Sequence, residues 1–149
     1  MAITVDDVKK YIDTVGGNVI QDIAEDTISL VAFSKYNNTL EQKDSYMIYL
    51  RENGELIQFV SGIGKAKKLG IDNCALFEAL LNHNASMKFG SWDYDISDDQ
   101  INYTVEIPLE DNTITEKQFK RIVKLLENGT VEFMKMLIEL RKSSNSDGI

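Results

Sequence analysis

The densest group of potential metal ligands is formed by Asp93, Asp95, Asp98 and Asp99. A calcium-binding EF-hand loop needs glycine at its sixth position and glutamate at its twelfth. Counted from Asp93, those positions hold Asp98 and Thr104. Aspartate is also favoured in tight turns, where its carboxylate accepts bonds from nearby backbone N–H groups. The spacing therefore favours a turn between two strands, and a ligand- or metal-binding hairpin over residues 93–99 is the alternative.

Nucleophilic chemistry has few candidate residues in this chain, which holds one histidine, His83, and one cysteine, Cys74. A Ser-His-Asp or Cys-His mechanism would have a single base available, and a zinc site would lack ligands. Cys74 falls in the first turn of a predicted helix near three lysines, a setting typical of reactive thiols. The simpler interpretation is a small buried residue. We expect no catalytic residues, no cofactor and no enzymatic activity.

Two further motifs partly match known kinds of ligand-binding site. The segment Ser61-Gly62-Ile63-Gly64-Lys65 has the glycines of a phosphate loop but not its spacing, so it predicts a turn. The aromatic residues Trp92, Tyr94 and Tyr103 could stack on a base or a sugar. A net charge of −8 opposes nucleic-acid binding, which depends on neutralising phosphates. Cross-strand packing in a core accounts for the same aromatics.

The elements that would position these residues follow from periodicity and caps. In chain order they are a helix between Thr4 and Gly16-Gly17, strands at 28–34, 45–51 and 55–61, a helix from Asp72 to Asn84, two strands between residues 90 and 108, and a helix starting at Thr115. This order, α-β-β-β-α-β-β-α, predicts an α+β domain with a single antiparallel sheet of about five strands. The domain spans residues 1–142, and 143–149 form a polar C-terminal tail.

Individual residues predict where the turns lie and where strands and helices begin or end. Asn53-Gly54 predicts a tight hairpin, whereas the polar stretch 35–44 predicts a loop. Pro108 ends a strand because it cannot donate to a ladder, and Thr115 with Gln118 forms a capping box. Gly129 lies within the apolar stripe of the last helix. It either breaks the helix or allows another element to approach closely.

The first three predicted strands are apolar on both faces. A sheet with one solvent-exposed face would instead show alternating apolar and polar residues along each strand. Helices can cover one face, and a second subunit or a bound polypeptide would cover the other. The candidate residues for that surface are Val31, Phe33, Met47, Tyr49, Ile57 and Phe59. The opposite set of side chains is the alternative, since the register is open at this point.

Composition limits the remaining function classes. With 149 residues, 43% hydrophobic residues and 27% charged residues, the chain has the composition of a globular domain. The polar and acidic N-terminus is not a secretory signal, no apolar run is long enough for a membrane span, and one cysteine fits a reducing compartment. The sequence predicts a cytoplasmic protein without nucleic-acid or membrane partners.

The segment from Leu80 to Phe119 also carries a family resemblance. The residues Gly90-Ser91-Trp92-Asp93-Tyr94, the turn Ile107-Pro108-Leu109-Glu110-Asp111 and the helix start Ile114-Thr115-Glu116-Lys117-Gln118-Phe119 resemble the YbjN family, within the type III secretion chaperone-like fold. The resemblance implies a small, non-enzymatic and usually dimeric bacterial protein, and it brings no catalytic residues. The expected function is that of a chaperone-like or adaptor protein that binds another polypeptide as a homodimer. A regulatory domain in bacterial signalling is the alternative.

Overall fold

The computed structural model describes residues 2–24 and 28–147, with the side chains of the last helix described as far as residue 144. These residues form three α-helices and one antiparallel sheet of six strands, which confirms the predicted α+β class. The elements are α1 Val5–Thr14, β1 Asn18–Ala24, β2 Ile28–Asn37, β3 Gln42–Arg51, β4 Leu56–Lys65, α2 Asn73–Ser86, β5 Ser91–Asp95, β6 Gln100–Pro108 and α3 Glu116–Asp147. Short 3-10 turns lie at Glu52–Gly54, Ala66–Leu69 and Glu110–Asn112.

The strand order across the sheet is β1-β2-β3-β4-β6-β5, so β1 and β5 are its edges. The sequence predicts about five strands, and the additional one is β1. All seven residues of β1 are exposed, and its pairing with β2 is interrupted by a bulge between Val19 and Gln21. An edge strand without a buried face has neither the alternation nor the apolar run that identifies the other strands.

The three helices pack on one face of the sheet. On that face the ring of Phe59 in β4 lies 5.5 Å from Phe119 of α3, and Trp92 of β5 lies 5.2 Å from Phe133 of α3. α1 reaches the same face through an ion pair between Lys9 and Asp22 of β1. A buried cluster continues from these contacts through Val8, Ile12, Val31, Phe33, Ile48, Ile57, Leu76, Leu80, Ile101, Tyr103, Val105 and Leu126. We call this side the helical face.

The polar stretch 35–44 is not the loop that the sequence predicts. β2 extends to Asn37 and β3 begins at Gln42, so only four residues form the turn. Asn37 and Asp44 are buried at 3% and 7% exposure, and the Asn37 amide donates to the Asp44 carboxylate at 2.9 Å. The backbone N–H groups of Thr39 and Leu40 donate to the Asn37 side-chain oxygen. This network holds the two strand ends together without any apolar pattern.

The same network makes stability depend on pH through Tyr46, whose hydroxyl donates to Asp44 at 3.2 Å. Burial, followed by the Asp44 carboxylate, raises the pKa of Tyr46 in the fold, whereas an unfolded tyrosine titrates near pH ~10. A raised folded pKa gives stability that is fully present below about pH 10 and is lost as the pH rises beyond it.

We therefore expect the free energy of unfolding, measured by urea titration, to fall between about pH 9 and pH 11. Tyr46→Phe should make this decline shallower but not abolish it, because burial also raises the pKa of Tyr103. Tyr36→Phe, at an exposed tyrosine of β2, is the control and should leave the slope unchanged. An equally steep decline in Tyr46→Phe and wild type would contradict the prediction.

The last helix, α3, begins at the predicted capping box and extends beyond its predicted end. Thr115 and Gln118 form the predicted capping box: the Gln118 N–H donates to Thr115 Oγ1 at 3.1 Å, and the Thr115 N–H donates to Gln118 Oε1 at 2.9 Å. The helix passes through Gly129 without a break. It also continues through residues 143–147, which the sequence assigns to a polar tail. An ion pair between Lys35 of β2 and Glu127 further fixes α3 to the sheet.

Candidate functional site

The face of the sheet opposite the helices has no covering element within the described part of the chain. Pairing in the sheet places Leu30 opposite Tyr49, Ala32 opposite Met47, and Met47 opposite Val60. Paired residues in an antiparallel sheet point to the same side. None of these residues belongs to the buried cluster beneath the helices. We call the six apolar side chains on this side the open-face patch: Leu30, Ala32, Met47, Tyr49, Leu56 and Val60.

The open-face patch is partly shielded by its own neighbours. Val60, in the middle of the sheet, is 8% exposed, and the other five residues are half-buried. Towards the β1 edge the apolar surface continues with Ile23 and Ile28, which are 38% and 41% exposed. An apolar surface of this continuity is typical of a protein-interaction site.

Hydrogen bonds and a cation–π contact fix the side chains at one end of the open-face patch. The Tyr49 hydroxyl lies 3.4 Å from the Met47 sulfur, and the Arg51 guanidinium lies 4.8 Å from the centre of the Tyr49 ring. Arg51 Nε donates to Gln58 at 2.9 Å, and the Gln58 amide donates to Glu106 at 2.7 Å. These bonds cross β3, β4 and β6 on the open side. The surface therefore has a defined shape before any partner arrives.

The structure divides the six residues that the sequence proposes for this surface. Met47 and Tyr49 lie in the open-face patch, half-buried. Val31, Phe33, Ile57 and Phe59 point to the helical face and are at most 1% exposed. These four must be withdrawn from the candidate surface, because the helices cover them. Leu30, Ala32, Leu56 and Val60, which belong to the opposite set, take their places.

The acidic segment 93–99 is the turn between β5 and β6, as the sequence favours. Asp95 accepts bonds from the Ser97 hydroxyl and then from the Ser97 N–H, which lower its pKa. The pKa of Asp99 is lowered by the N–H of Lys67 and then by the Tyr94 hydroxyl, both of which donate to its carboxylate. These carboxylates are thus used by the turn and its neighbours. No group of His, Cys, Asp or Glu suited to hold a metal occurs within residues 2–24 and 28–147.

The Gly-rich segment continues β4 instead of forming the predicted turn. β4 runs to Lys65, with a bulge between Gly62 and Gly64 in its pairing with β6. The Lys65 ammonium donates to the Asp98 carbonyl at 2.6 Å, and the Ala66 N–H donates to the Asp99 carbonyl. The glycines therefore allow the strand to bend towards the acidic turn.

The single histidine and the single cysteine of the chain lie near opposite ends of α2. His83, at the end of α2, accepts a 2.9 Å hydrogen bond from the Trp92 indole N–H through its Nδ1 atom. Neighbouring Asn84 pairs with the Trp92 backbone through both side-chain atoms. These contacts give His83 a structural role in anchoring Trp92. Cys74 is exposed in the first turn of α2, so the interpretation as a small buried residue is wrong.

Two large apolar side chains near these elements lie outside the core. Ile96, which simple alternation would place on the face of Trp92 and Tyr94, follows the last residue of β5 and is 85% exposed. Leu81 lies beside the buried residue Leu80 of α2 and is 68% exposed.

A groove of about 720 Å³ lies on the helical side, between the end of β6 and the first turns of α3. Its walls include Phe89, Ile107 and Leu125, and Phe89 is 60% exposed. Arg121 lines it together with Glu110 and Asp111, so its charges are of both signs. The groove therefore combines apolar walls with a mixed charge.

Comparison of the chain with family models, with curated proteins and with solved structures finds no match. Among the described residues, no helix combines the length and apolar character needed to cross a membrane.

Proposed function

We propose that this protein is a non-enzymatic, chaperone-like or adaptor protein that binds another polypeptide through the open-face patch and works as a homodimer. The observation that carries the proposal is a sheet with helices on one side and the open-face patch on the other. The resemblance to the YbjN family points in the same direction. The engagement of the acidic turn by its own backbone and neighbours favours a binding protein over a metal-dependent one.

The extent of exposed surface supports association. The chain exposes 9183 Å², whereas a compact monomer of 16.9 kDa is expected to expose about 7,700 Å². The last turns of α3, which are exposed, account for part of this excess. A standard interface buries about 800 Å² on each partner. The excess of about 1,500 Å² per chain is larger than the area that one such interface would remove from each partner.

The helical side offers a separate apolar area for a second copy. Met134 and Ile138 lie one turn apart on α3, 36% and 49% exposed, and Leu81 of α2 is 68% exposed. These side chains lie on the opposite side of the sheet from the open-face patch. Dimerisation through them would leave that patch accessible to a polypeptide.

Met47→Asp is expected to weaken polypeptide binding by at least roughly tenfold, because a carboxylate would have to be desolvated against an apolar partner. The probe is a reduced, carboxymethylated and fluorescently labelled test polypeptide that stays unfolded, and binding is measured by anisotropy. Ser45→Asp is the matched control: it adds the same charge to the same strand and the same face, outside the patch.

Wild type and Ser45→Asp should bind alike, while circular dichroism should show Met47→Asp folded. Absence of wild-type binding, or full binding by Met47→Asp, would remove the proposed role of the patch. In size-exclusion chromatography with light scattering at micromolar concentration, the expected mass is twice the 16.9 kDa of one chain. Ile138→Asp should shift it towards the monomer and Met47→Asp should not; a strict wild-type monomer would refute the homodimer.

A further inference from the structure

Among the residues that the structure describes, the open-face patch has a charged border on only one of its long sides. Asp93 and Asp95 of β5 and Glu106 of β6 share the open side with it, because Asp93 pairs with Asn102 and Glu106 pairs with Gln58. All three carboxylates are exposed. The opposite border, at β1 and β2, presents the apolar residues Ile23 and Ile28.

The side chains of the acidic border accept hydrogen bonds from neutral groups. Asp93 accepts from the Asn102 amide at 3.2 Å and from the Thr104 hydroxyl at 2.6 Å, and Glu106 accepts from the Gln58 amide. These donors are neutral, and none of the three acids forms an ion pair in the part of the chain that the structure describes.

The cations on the open side lie at the two ends of β3 and at the end of β4, where Lys65 pairs with Gln100 next to Asp95 and donates to the Asp98 carbonyl. Lys43 pairs with Tyr36 near the β2–β3 turn, and Arg51 is engaged by Gln58 and by the Tyr49 ring. A partner that lies across the patch therefore meets apolar side chains in the middle and three carboxylates along one side.

We propose that the open-face patch takes a polypeptide segment with apolar side chains on one face and a row of lysines or arginines along one edge. This inference rests on the proposed function and specifies the chemistry of its partner. The apolar side chains would supply the buried area, and the basic row would lie along Asp93, Asp95 and Glu106. A second copy fits this position poorly, because its own open side carries the same three carboxylates and no row of lysines or arginines to meet them.

Three amphipathic helical peptides with one leucine pattern test the proposal; their polar edge carries lysine, glutamine or glutamate. We expect the leucine–lysine peptide to bind roughly tenfold more tightly than the leucine–glutamine peptide in low salt, and the leucine–glutamate peptide to bind most weakly. Exposed ion pairs contribute little individually, and salt screens them. The lysine preference should therefore decrease at physiological ionic strength.

Two triple variants separate the border from the overall charge. D93N/D95N/E106Q neutralises the border with isosteric side chains, and D6N/D13N/E78Q removes three exposed acids from α1 and α2. Each changes the net charge from −8 to −5. The lysine preference should disappear in the first variant and persist in the second. Equal loss in both variants, or no preference in wild type, would overturn the inference.

Failure of the inference and failure of the proposed function give different results. If all three peptides bind with similar affinity and Met47→Asp abolishes their binding, the patch binds polypeptides but the basic edge is refuted. If no peptide binds while the carboxymethylated polypeptide still does, only the inference is refuted. If neither binds, or if Met47→Asp has no effect on binding, both are refuted.

Discussion

Phe119→Ala is expected to lower the free energy of unfolding by about 3–5 kcal/mol, the usual cost of removing a buried phenylalanine ring. Phe119 lies in the first turn of α3 and is fully buried. Its ring centre is 5.4 Å from that of Tyr11 in α1 and 5.5 Å from that of Phe59 in β4. One side chain thus joins two helices to the centre of the sheet, and its removal leaves a cavity that none of these elements can fill alone.

The measurement is urea unfolding at neutral pH, followed by far-ultraviolet circular dichroism. Phe89→Ala is the matched control, because Phe89 is 60% exposed and its truncation should change the free energy of unfolding by less than about 0.5 kcal/mol. A loss below about 1 kcal/mol in Phe119→Ala would contradict the closed packing of α1, α3 and β4.

The position of Phe119 could be predicted from the sequence because the signals are local. The Thr115–Gln118 capping box sets the first turn of α3, and apolar residues recur from Phe119 at spacings of three and four. A cap and a periodic stripe together define where a helix begins and which side faces the core. For the same reason α1, α2 and β6 lie close to their predicted positions.

Elements without such local signals could not be predicted. β1 has no buried residue, so neither alternation nor an apolar run marks it as a strand. The ends of β2 and β3 are polar, and their strand structure depends on bonds between Asn37 and Asp44, seven residues apart. Propensity over a short window does not contain this pairing, since tertiary context decides such segments.

The open-face patch was partly accessible from the sequence. A hairpin centred on Asn53-Gly54 pairs residues whose numbers add up to 107, and this is the register observed, with Met47 opposite Val60. Met47 therefore shares a face with Val60 and not with Phe59. The face that the helices cover is identified only when the pairing of Phe59 with Val105 of β6 is also known. These two residues are far apart in the sequence, so no short sequence window contains a signal of their pairing.

Gly129 shows how a nonlocal contact can reverse a local preference. In an exposed helix Gly129→Ala would stabilise the protein by about 1 kcal/mol. Here a Cβ atom would lie 3.0 Å from two ring atoms of Tyr103 and 3.2 Å from a third. The Tyr103 ring is 2% exposed, its hydroxyl donates to the Phe89 carbonyl at 3.0 Å, and the Trp92 ring lies 4.9 Å away. Because these contacts hold the ring in place, it cannot move aside for the added methyl group.

We therefore expect Gly129→Ala to destabilise the protein by about 1 kcal/mol and Gly129→Leu by about 3 kcal/mol, as in other overpacked cores. Asn128→Ala, at the exposed neighbouring position, should instead stabilise slightly, since only helix propensity changes there. In a Tyr103→Ala background the ring is absent, and Gly129→Ala should change sign and stabilise by about 1 kcal/mol. A stabilising Gly129→Ala in the wild-type background would show that α3 and β6 are not in close contact, because the reversal has no other source.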